Sequence, residues 1–436
     1  MNVLAPAAPE ADRSIARRDA GLPGLPWLLD NTRLSELLGE TVHITRVRYK
    51  PGTSLLVAYR RLRNGSFAYG WAQTAAAPAG KLLRREASSR SRGGNNRLLR
   101  PDPRHDDVLV AVGGVEDDWR LCRNLRWLRH NGAERLGLHV TPGTGLPAGS
   151  SILRYKPERR LVLLTRNATA AVVIKTSVAA APGQQAQFLE RLRHHGVPLL
   201  PQLADPEGLA HGISASKAWG TGDLTACSNQ TDAQLPYAAG QALAALHSFP
   251  LTGAAGAADT AVQDASYNWR QDHAAQLSAT RAMVSALLPE LEPLAGQLES
   301  RLADLLLDRP PRTAVLVHGD FSPDQVLVGD REVRLIDFDR ARTGTAEADL
   351  GSFAAAEETA LSASGGAPGG APAGGPKTAR LTDGYLDAGG RFTQSGMAAW
   401  AAFRFFNSSV DPFRDRSPEW AADMSWHLSR AKELLP

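Results

Sequence analysis

Residues 315–339 of this 436-residue chain read VLVHGDFSPDQVLVGDREVRLIDFD, and no other stretch restricts the fold as tightly. The strand Val326-Leu327-Val328 meets a Gly329-Asp330 turn and Glu332 to Ile336 returns, which predicts an antiparallel hairpin. Such pairing sets the start of one strand beside the end of the other. Gln325 and Asp337 therefore share one end of the hairpin, and Asp320 lies on the loop leading into it. Two carboxylates and an amide converge where no apolar neighbour satisfies them.

This grouping suits phosphoryl transfer. A nucleotide triphosphate brings Mg2+, which takes oxygen ligands from one or two carboxylates. A separate carboxylate orients the attacking hydroxyl and accepts its proton. His318-x-Asp320, four residues, Gln325, and later Asp337-Phe338 fall in the register of a kinase catalytic loop followed by its metal-binding aspartate.

Composition narrows the alternatives. A hydrophobic fraction of 43% and a charged fraction of 22% are those of an ordinary globular chain, here long enough for two or three domains. The net charge of +4 does not imply nucleic-acid binding but suits an anionic ligand. Cys122 and Cys227 lie far apart and outside any CxxC pair, so neither a metal site nor a disulfide framework is expected. No run of about 18 apolar residues occurs, and the N-terminus lacks a secretory pattern. A soluble, cytoplasmic protein without membrane partner follows.

Residues 1–20, rich in Ala, Pro and Arg, read as a disordered tail. From Val42 the chain reads as strands, with Asn64-Gly65 marking a hairpin. Residues 81–105 read as a basic, flexible loop, and Asp117 to His130 as an amphipathic helix. A second strand set begins near Ser151 and repeats the first: Arg48-Tyr49-Lys50-Pro51 returns as Arg154-Tyr155-Lys156-Pro157. Helices dominate after about residue 230, interrupted at 362–376 by a flexible Gly/Ala/Pro insert, SASGGAPGGAPAGGP.

The run HGDFSPDQVLV…RLIDFDRARTGTAEADLG closely resembles the aminoglycoside phosphotransferase and choline kinase-like family, an offshoot of the protein-kinase fold. The resemblance implies an α+β, bilobal, kinase-like fold with an additional N-terminal β-rich region. An accessory region at 21–150 precedes a small lobe at 151–225 and a helical large lobe at 226–436. The resemblance also implies Asp320 as catalytic base, His318 as support for its loop, and Gln325 and Asp337 as Mg2+ ligands, with Asp339 joining the acidic cluster. The family has Asn at the place held by Gln325.

Upstream, Ala170 to Thr176 looks like the strand whose lysine, Lys175, holds the α- and β-phosphates, with Glu190 as the partner that orients it. Lys156, Arg159 and Arg160 occupy the place of a glycine-rich loop and offer side-chain cations to the phosphates. In the first strand set the position of Lys175 falls at Ala72, beside Gln73, so that copy is not expected to bind nucleotide. Asp349 reads as a helix cap or loop anchor.

The implied reaction is ATP- or GTP-dependent transfer to a hydroxyl of an aminoglycoside, amino sugar, sugar or choline-like alcohol. The acceptor site is expected along the helical lobe and the segment from Tyr385 to Trp420, where an acidic lining would favour a cationic acceptor. The same residues leave open a kinase acting on Ser or Thr of a peptide in a natural-product pathway, and a nucleotide-binding pseudokinase.

Overall fold

Alternation of apolar and polar side chains builds two separate antiparallel sheets before the chain turns helical. A computed structural model describes residues 8–63, 65–76, 80–102, 108–132, 136, 146, 150–166, 171–178, 183–203, 205–227, 232–251, 269–307, 313–365 and 373–436. The first sheet holds β1 (His43–Lys50), β2 (Ser54–Arg63), β3 (Ser66–Ala75), β4 (Arg97–Leu99) and β5 (Val110–Gly114), in the order β1-β2-β3-β5-β4. The second holds β6 (Ser150–Lys156), β7 (Arg160–Arg166), β8 (Ala171–Ser177) and β9 (Ile213–Lys217), in that order.

The two sheets repeat one unit. Lys50 pairs with Ser54 and Lys156 with Arg160, so both Arg-Tyr-Lys-Pro segments close a strand at the same turn. A helix follows the third strand in each, Gly80–Arg90 in one and Gly183–His194 in the other. Lys175 pairs with Val162, and Gln73 pairs with the matching Leu56. The counterpart of Lys175 is therefore Gln73 rather than Ala72. The loops joining second to third strand differ in length, spanning 64–65 in one copy and 167–170 in the other, so alignment on the loop slips the register.

Opposite faces of the first sheet enter different cores. Leu55, Val57, Tyr59 and Ala72 join the core that runs through the helical part. Leu56, Ala58, Trp71 and Ala111 pack on Leu161, Leu163, Val172 and Ile174 of the second sheet. The back of the second sheet is thus covered, while Arg160, Val162, Val173 and Lys175 alternate onto the face that lines a cleft.

Several local expectations change. Of the expected tail, residues 1–7 lie outside the described residues, and 8–18 form a helix with Ala8, Ala11 and Ile15 buried. Arg18 donates to the carbonyls of Ala286 (3.0 Å) and Leu287 (2.8 Å) at the end of the helix Trp269–Leu287, and Arg416 donates to Asp12. Remote partners, invisible in the local composition, order it. Residues 81–105 hold most of the helix Gly80–Arg90 and β4, with 103–107 outside the described residues. The helix expected at Asp117–His130 starts later, as Cys122–Trp127, and runs on through a π-helical stretch Leu128–Gly132, with Asp118 accepting from the N–H groups of Arg120 (2.9 Å) and Leu121 (3.0 Å) ahead of it.

The helical part carries the hairpin as expected, β12 (Val326–Gly329) against β13 (Glu332–Leu335), with β10 (Gly222–Asp223) alongside β12. A separate pair joins β11 (Val315–Val317) to β14 (Arg342–Gly344). Within the Gly/Ala/Pro insert, residues 366–372 lie outside the described residues. Its return is tied down, since the N–H groups of Gly374 and Gly375 donate to Glu358 (2.6 Å) and Glu357 (3.0 Å). Among the described residues no helix is long and apolar enough to cross a membrane.

Ile174 is fully buried where the two sheets meet. Ile174→Ala is expected to cost about 2–5 kcal/mol, read as a lower urea midpoint with unchanged slope. A midpoint equal to that of the wild type would mean that the sheets do not pack through this face.

Candidate active site

The hairpin delivers its polar end as the sequence predicts. Val326 pairs with Leu335, and the Ile336 N–H donates to the Gln325 carbonyl at 3.1 Å, which leaves Asp337 at the mouth. Asp337 adopts a left-handed backbone with φ 67°, uncommon for a residue with a side chain. Gly319 has φ 80°, and a Cβ there would stand 2.2 Å from the Arg340 carbonyl oxygen, so only glycine lets the loop close on that segment.

Asp349, 1% exposed, accepts from the N–H groups of His318 (2.6 Å) and Gly319 (2.9 Å) and from His247 Nε2 (3.1 Å). Burial pushes its pKa up, but the His247 hydrogen bond and charge, with His318 and the Gly319 N–H, hold it below the ordinary value. His318 is itself buried and donates through Nε2 to the Ile336 carbonyl at 2.8 Å. Asp349 is thus a loop anchor rather than a helix cap.

Beyond the hairpin end lies a cavity of about 640 Å³ lined by Arg160, Lys175, Gln325, Asp337 and Asp339 among others. Asp337 accepts from Lys175 Nζ at 2.8 Å and Arg160 Nη1 at 2.9 Å. Asp339 accepts from Lys175 (2.5 Å), Arg160 (2.8 Å) and Gln185 (3.3 Å). Burial raises the Asp337 pKa, yet Lys175 and Arg160 outweigh it and hold the carboxyl well below its usual range. Gln325 donates through Nε2 to Asp324 at 3.1 Å.

Asp320 stands apart from these, its side chain 30% exposed, and accepts from Arg404 Nη1 at 2.8 Å with Arg340 at 3.5 Å. Burial raises its pKa, but the charges of Arg404 and Arg340 and the Arg404 hydrogen bond bring it below the ordinary value. The carboxylate is ionised at neutral pH.

Glu190 does not reach Lys175. It pairs with Arg193 (2.6 Å) and His194 (3.0 Å) on the exposed face of its helix. Gln185 faces the cleft, and five residues at ~100° each turn Glu190 about 140° away from it. Asp337 and Asp339 take its place as partners of the lysine.

Arg160 enters the cleft, whereas Lys156 and Arg159 are absent from its lining. The turn that carries them is gripped by the first sheet and the segment after it. Glu158, at φ 59°, donates its N–H to Asp118 (2.8 Å), and its carboxylate accepts from Arg48 (3.2 Å) and Arg85 (2.8 Å). Arg85 also donates to Gln73 at 2.7 Å, so the counterpart of Lys175 supports this grip. Sequence reasoning missed His247, Arg404, Arg340, Gln185 and Glu158. Only Glu158 carried a signal, its position in the repeated turn.

The donor set at the hairpin end consists of carboxylates and an amide, which is the oxygen chemistry that Mg2+ accepts. Among the described residues no group of three or more His, Cys, Asp or Glu is placed to hold a metal. Mg2+ here would draw its remaining ligands from phosphates and water.

Antiparallel sheets followed by a helical part that carries this hairpin make a mixed α+β, kinase-like phosphotransferase fold. The sequence pattern of the phosphotransferase enzyme family (APH) matches residues 157–406, more than half of the chain, and the chain belongs to that family. It is an enzyme that transfers phosphate to an alcohol group. Similar solved structures include a choline/ethanolamine kinase family protein from Mesorhizobium loti, 16% identical, covering 69% of this chain and 93% of that one, with a TM-score of 0.41. Others are a thermostable mutant of aminoglycoside phosphotransferase APH(4)-Ia (13% identity, 69% and 97% covered, TM-score 0.47) and the amicoumacin kinase hAmiN (12%, 70% and 93%, 0.46). No curated protein matches the chain.

Burial and the charges of Arg154, Arg46 and Arg160 pull the Lys156 ammonium down from an ordinary 10.5 to about 8. Between those values the folded protein holds fewer protons than the unfolded chain, so this group makes stability rise with pH through that window. Lys156→Met, which keeps the stem and drops the charge, is expected to raise Tm at pH 7 and to flatten the rise above about pH 8. Thermal melts of both proteins across a pH series check this, and a variant less stable at pH 7 would count against charge crowding.

Proposed function

We propose that the chain transfers the γ-phosphoryl group of ATP or GTP directly to a hydroxyl of a small molecule, with Asp320 as the base. The observation that carries the reading is the pairing of one loop with one cleft. Asp349 and His318 fix the loop that ends in Asp320, and the same His318 ties it to the strand end that leads into Asp337. An ionised carboxylate then stands on one side, and two cations with two more carboxylates on the other.

In the proposed reaction the acceptor oxygen attacks the γ-phosphorus while its proton passes to Asp320. The bond from that phosphorus to the β–γ bridging oxygen breaks, and the nucleoside diphosphate leaves. Lys175 and Arg160 exchange their carboxylate partners for phosphate oxygens. Asp337 and Gln325, with Asp339 nearby, are the residues that would hold Mg2+, which when bound neutralises charge on the triphosphate. His318 supports the loop and moves no proton.

The proposed lobes follow the sequence boundaries: accessory region 21–150, small lobe 151–225 and large lobe 226–436. A soluble cytoplasmic enzyme without nucleic-acid or membrane partner fits the modest net charge of +4.

Asp320→Ala is expected to lower kcat by about 10²–10⁴ while leaving nucleotide affinity within twofold. Lys175→Ala is expected to raise the KM for nucleotide. Release of ADP or GDP, followed with Mg2+-ATP and Mg2+-GTP across hydroxyl acceptors, reads both effects. Acceptor-dependent release that survives in Asp320→Ala would sink Asp320 as base.

A further inference from the structure

The two oxygens of the Asp320 carboxylate are held unequally. Arg404 donates through Nη1 to Oδ1 at 2.8 Å. Arg340 comes only within 3.5 Å of Oδ2, from a side chain 62% exposed. One oxygen is fixed at hydrogen-bond distance and the other is left for a new partner. His318 also bears on the carboxylate, but its ring is already given to the Ile336 carbonyl.

The helix that anchors the loop also sets the position of Arg404. Asp349 belongs to the helix Ala346–Ala363, and two residues further on, Gly351 meets the helix Gln394–Ser408. A Cβ at Gly351 would stand 2.6 Å from the Ala401 nitrogen, 2.7 Å from the Met397 carbonyl oxygen and 2.8 Å from the Trp400 Cβ. Only glycine allows the two helices this approach. Arg404 follows Trp400 by one turn. His273 and Thr280 of the helix Trp269–Leu287 brace the same segment: the His273 ring meets those of Trp400 (5.3 Å) and Phe403 (5.1 Å), and Thr280 donates to Asn407 at 3.0 Å. One helix thus fixes both the loop that carries the base and the distance to the helix that carries its arginine.

Folding stability does not account for the pair. The two side chains are 31% and 30% exposed, and ion pairs that water reaches add little to folding. Among the described residues Asp320 is the one acid paired with Arg404. Asp411 pairs instead with Arg414 at 3.1 Å, and His427, whose titration feels Arg404, is neutral at pH 7 because burial draws it down to about 4.

We propose that Arg404 is a positioning residue of the transfer, which holds Oδ1 of Asp320 so that the charged carboxylate turns Oδ2 toward the acceptor hydroxyl. This rests on Asp320 being the base of the transfer described above. The acceptor proton passes to Oδ2, on the side from which the exposed Arg340 can withdraw, while Arg404 stays. A base that loses its aim by a fraction of its own length costs rate steeply.

Two readouts on the full chain test this. A water-soluble carbodiimide labels carboxyls in their protonated form, so labelling of Asp320, located by mass spectrometry across a pH series, follows its titration without turnover. In Arg404→Gln labelling should persist to higher pH than in the wild type, because a charge that favours the ionised form is gone. In the hydroxyl-acceptor assay with Mg2+-ATP, kcat for ADP release should fall by up to about 10²-fold, with its acid limb moved to higher pH and the KM for nucleotide unchanged. Arg404→Lys keeps the charge and should return the labelling and the acid limb toward the wild type. Arg404 is partly exposed, so neither variant should unfold the chain.

Asp320 labelling unchanged in Arg404→Gln would overturn the proposal, as would an acid limb in Arg404→Lys no lower than in Arg404→Gln. A raised KM for nucleotide with kcat intact would make Arg404 a ligand contact and reject its positioning role. These outcomes leave the base itself standing. Acceptor-dependent turnover in Asp320→Ala rejects the base, and the role of Arg404 with it.

Discussion

A buried carboxylate is tolerated only where donors surround it, and Asp349 sets the geometry of this site on that condition. Two of its three donors are the backbone N–H groups of His318 and Gly319, so satisfying one side chain fixes the path of a loop some thirty residues away. Asp320 is the next residue along. The ring of His318 then reaches the Ile336 carbonyl, one residue before Asp337. One buried charge and one histidine therefore hold in register two aspartates that belong to different segments. A flexible loop could present either carboxylate, but not both in fixed relation.

What the sequence revealed of this arrangement was its local part. Strand, turn and returning strand occupy adjacent residues, so Gln325 and Asp337 could be brought together from spacing alone. The groups that hold Asp320 could not, because Arg404 comes 84 residues later and nothing near Asp320 announces it. Periodicity failed differently at Glu190. A helix can be read from spacing, but which of its faces meets the cleft depends on packing, and here the cleft takes Gln185. The terminal helix Ala8–Arg18 was illegible for the first reason, since its partner Arg416 lies 404 residues from Asp12. The repeat lay between these cases: four shared residues exposed it, while its register needed strand pairing.

The first sheet and the segments around it grip the β6–β7 turn of the second. A glycine-rich loop relies on backbone amides and on freedom to close over its ligand. Here the equivalent turn places Glu158 at a left-handed angle, a strain of about 1–3 kcal/mol, and holds it through Asp118, Arg48 and Arg85. All three belong to the first sheet or the segments around it. The turn is thereby rigid, and rigid turns can aim side chains. Arg160 opens β7 and lines the cleft, whereas Arg159, in the turn before it, does not.

The first sheet repeats the strand unit of the second without a lysine at the place of Lys175. Gln73 replaces the counterpart of Lys175 and receives Arg85, which also holds Glu158. Where the second sheet carries a lysine that reaches Asp337, the first carries a structural contact. On the same turn, burial and the charges of Arg154, Arg46 and Arg160 draw Lys156 down to about 8. The first sheet thus stiffens a turn whose next residue, Arg160, holds Asp337 and Asp339.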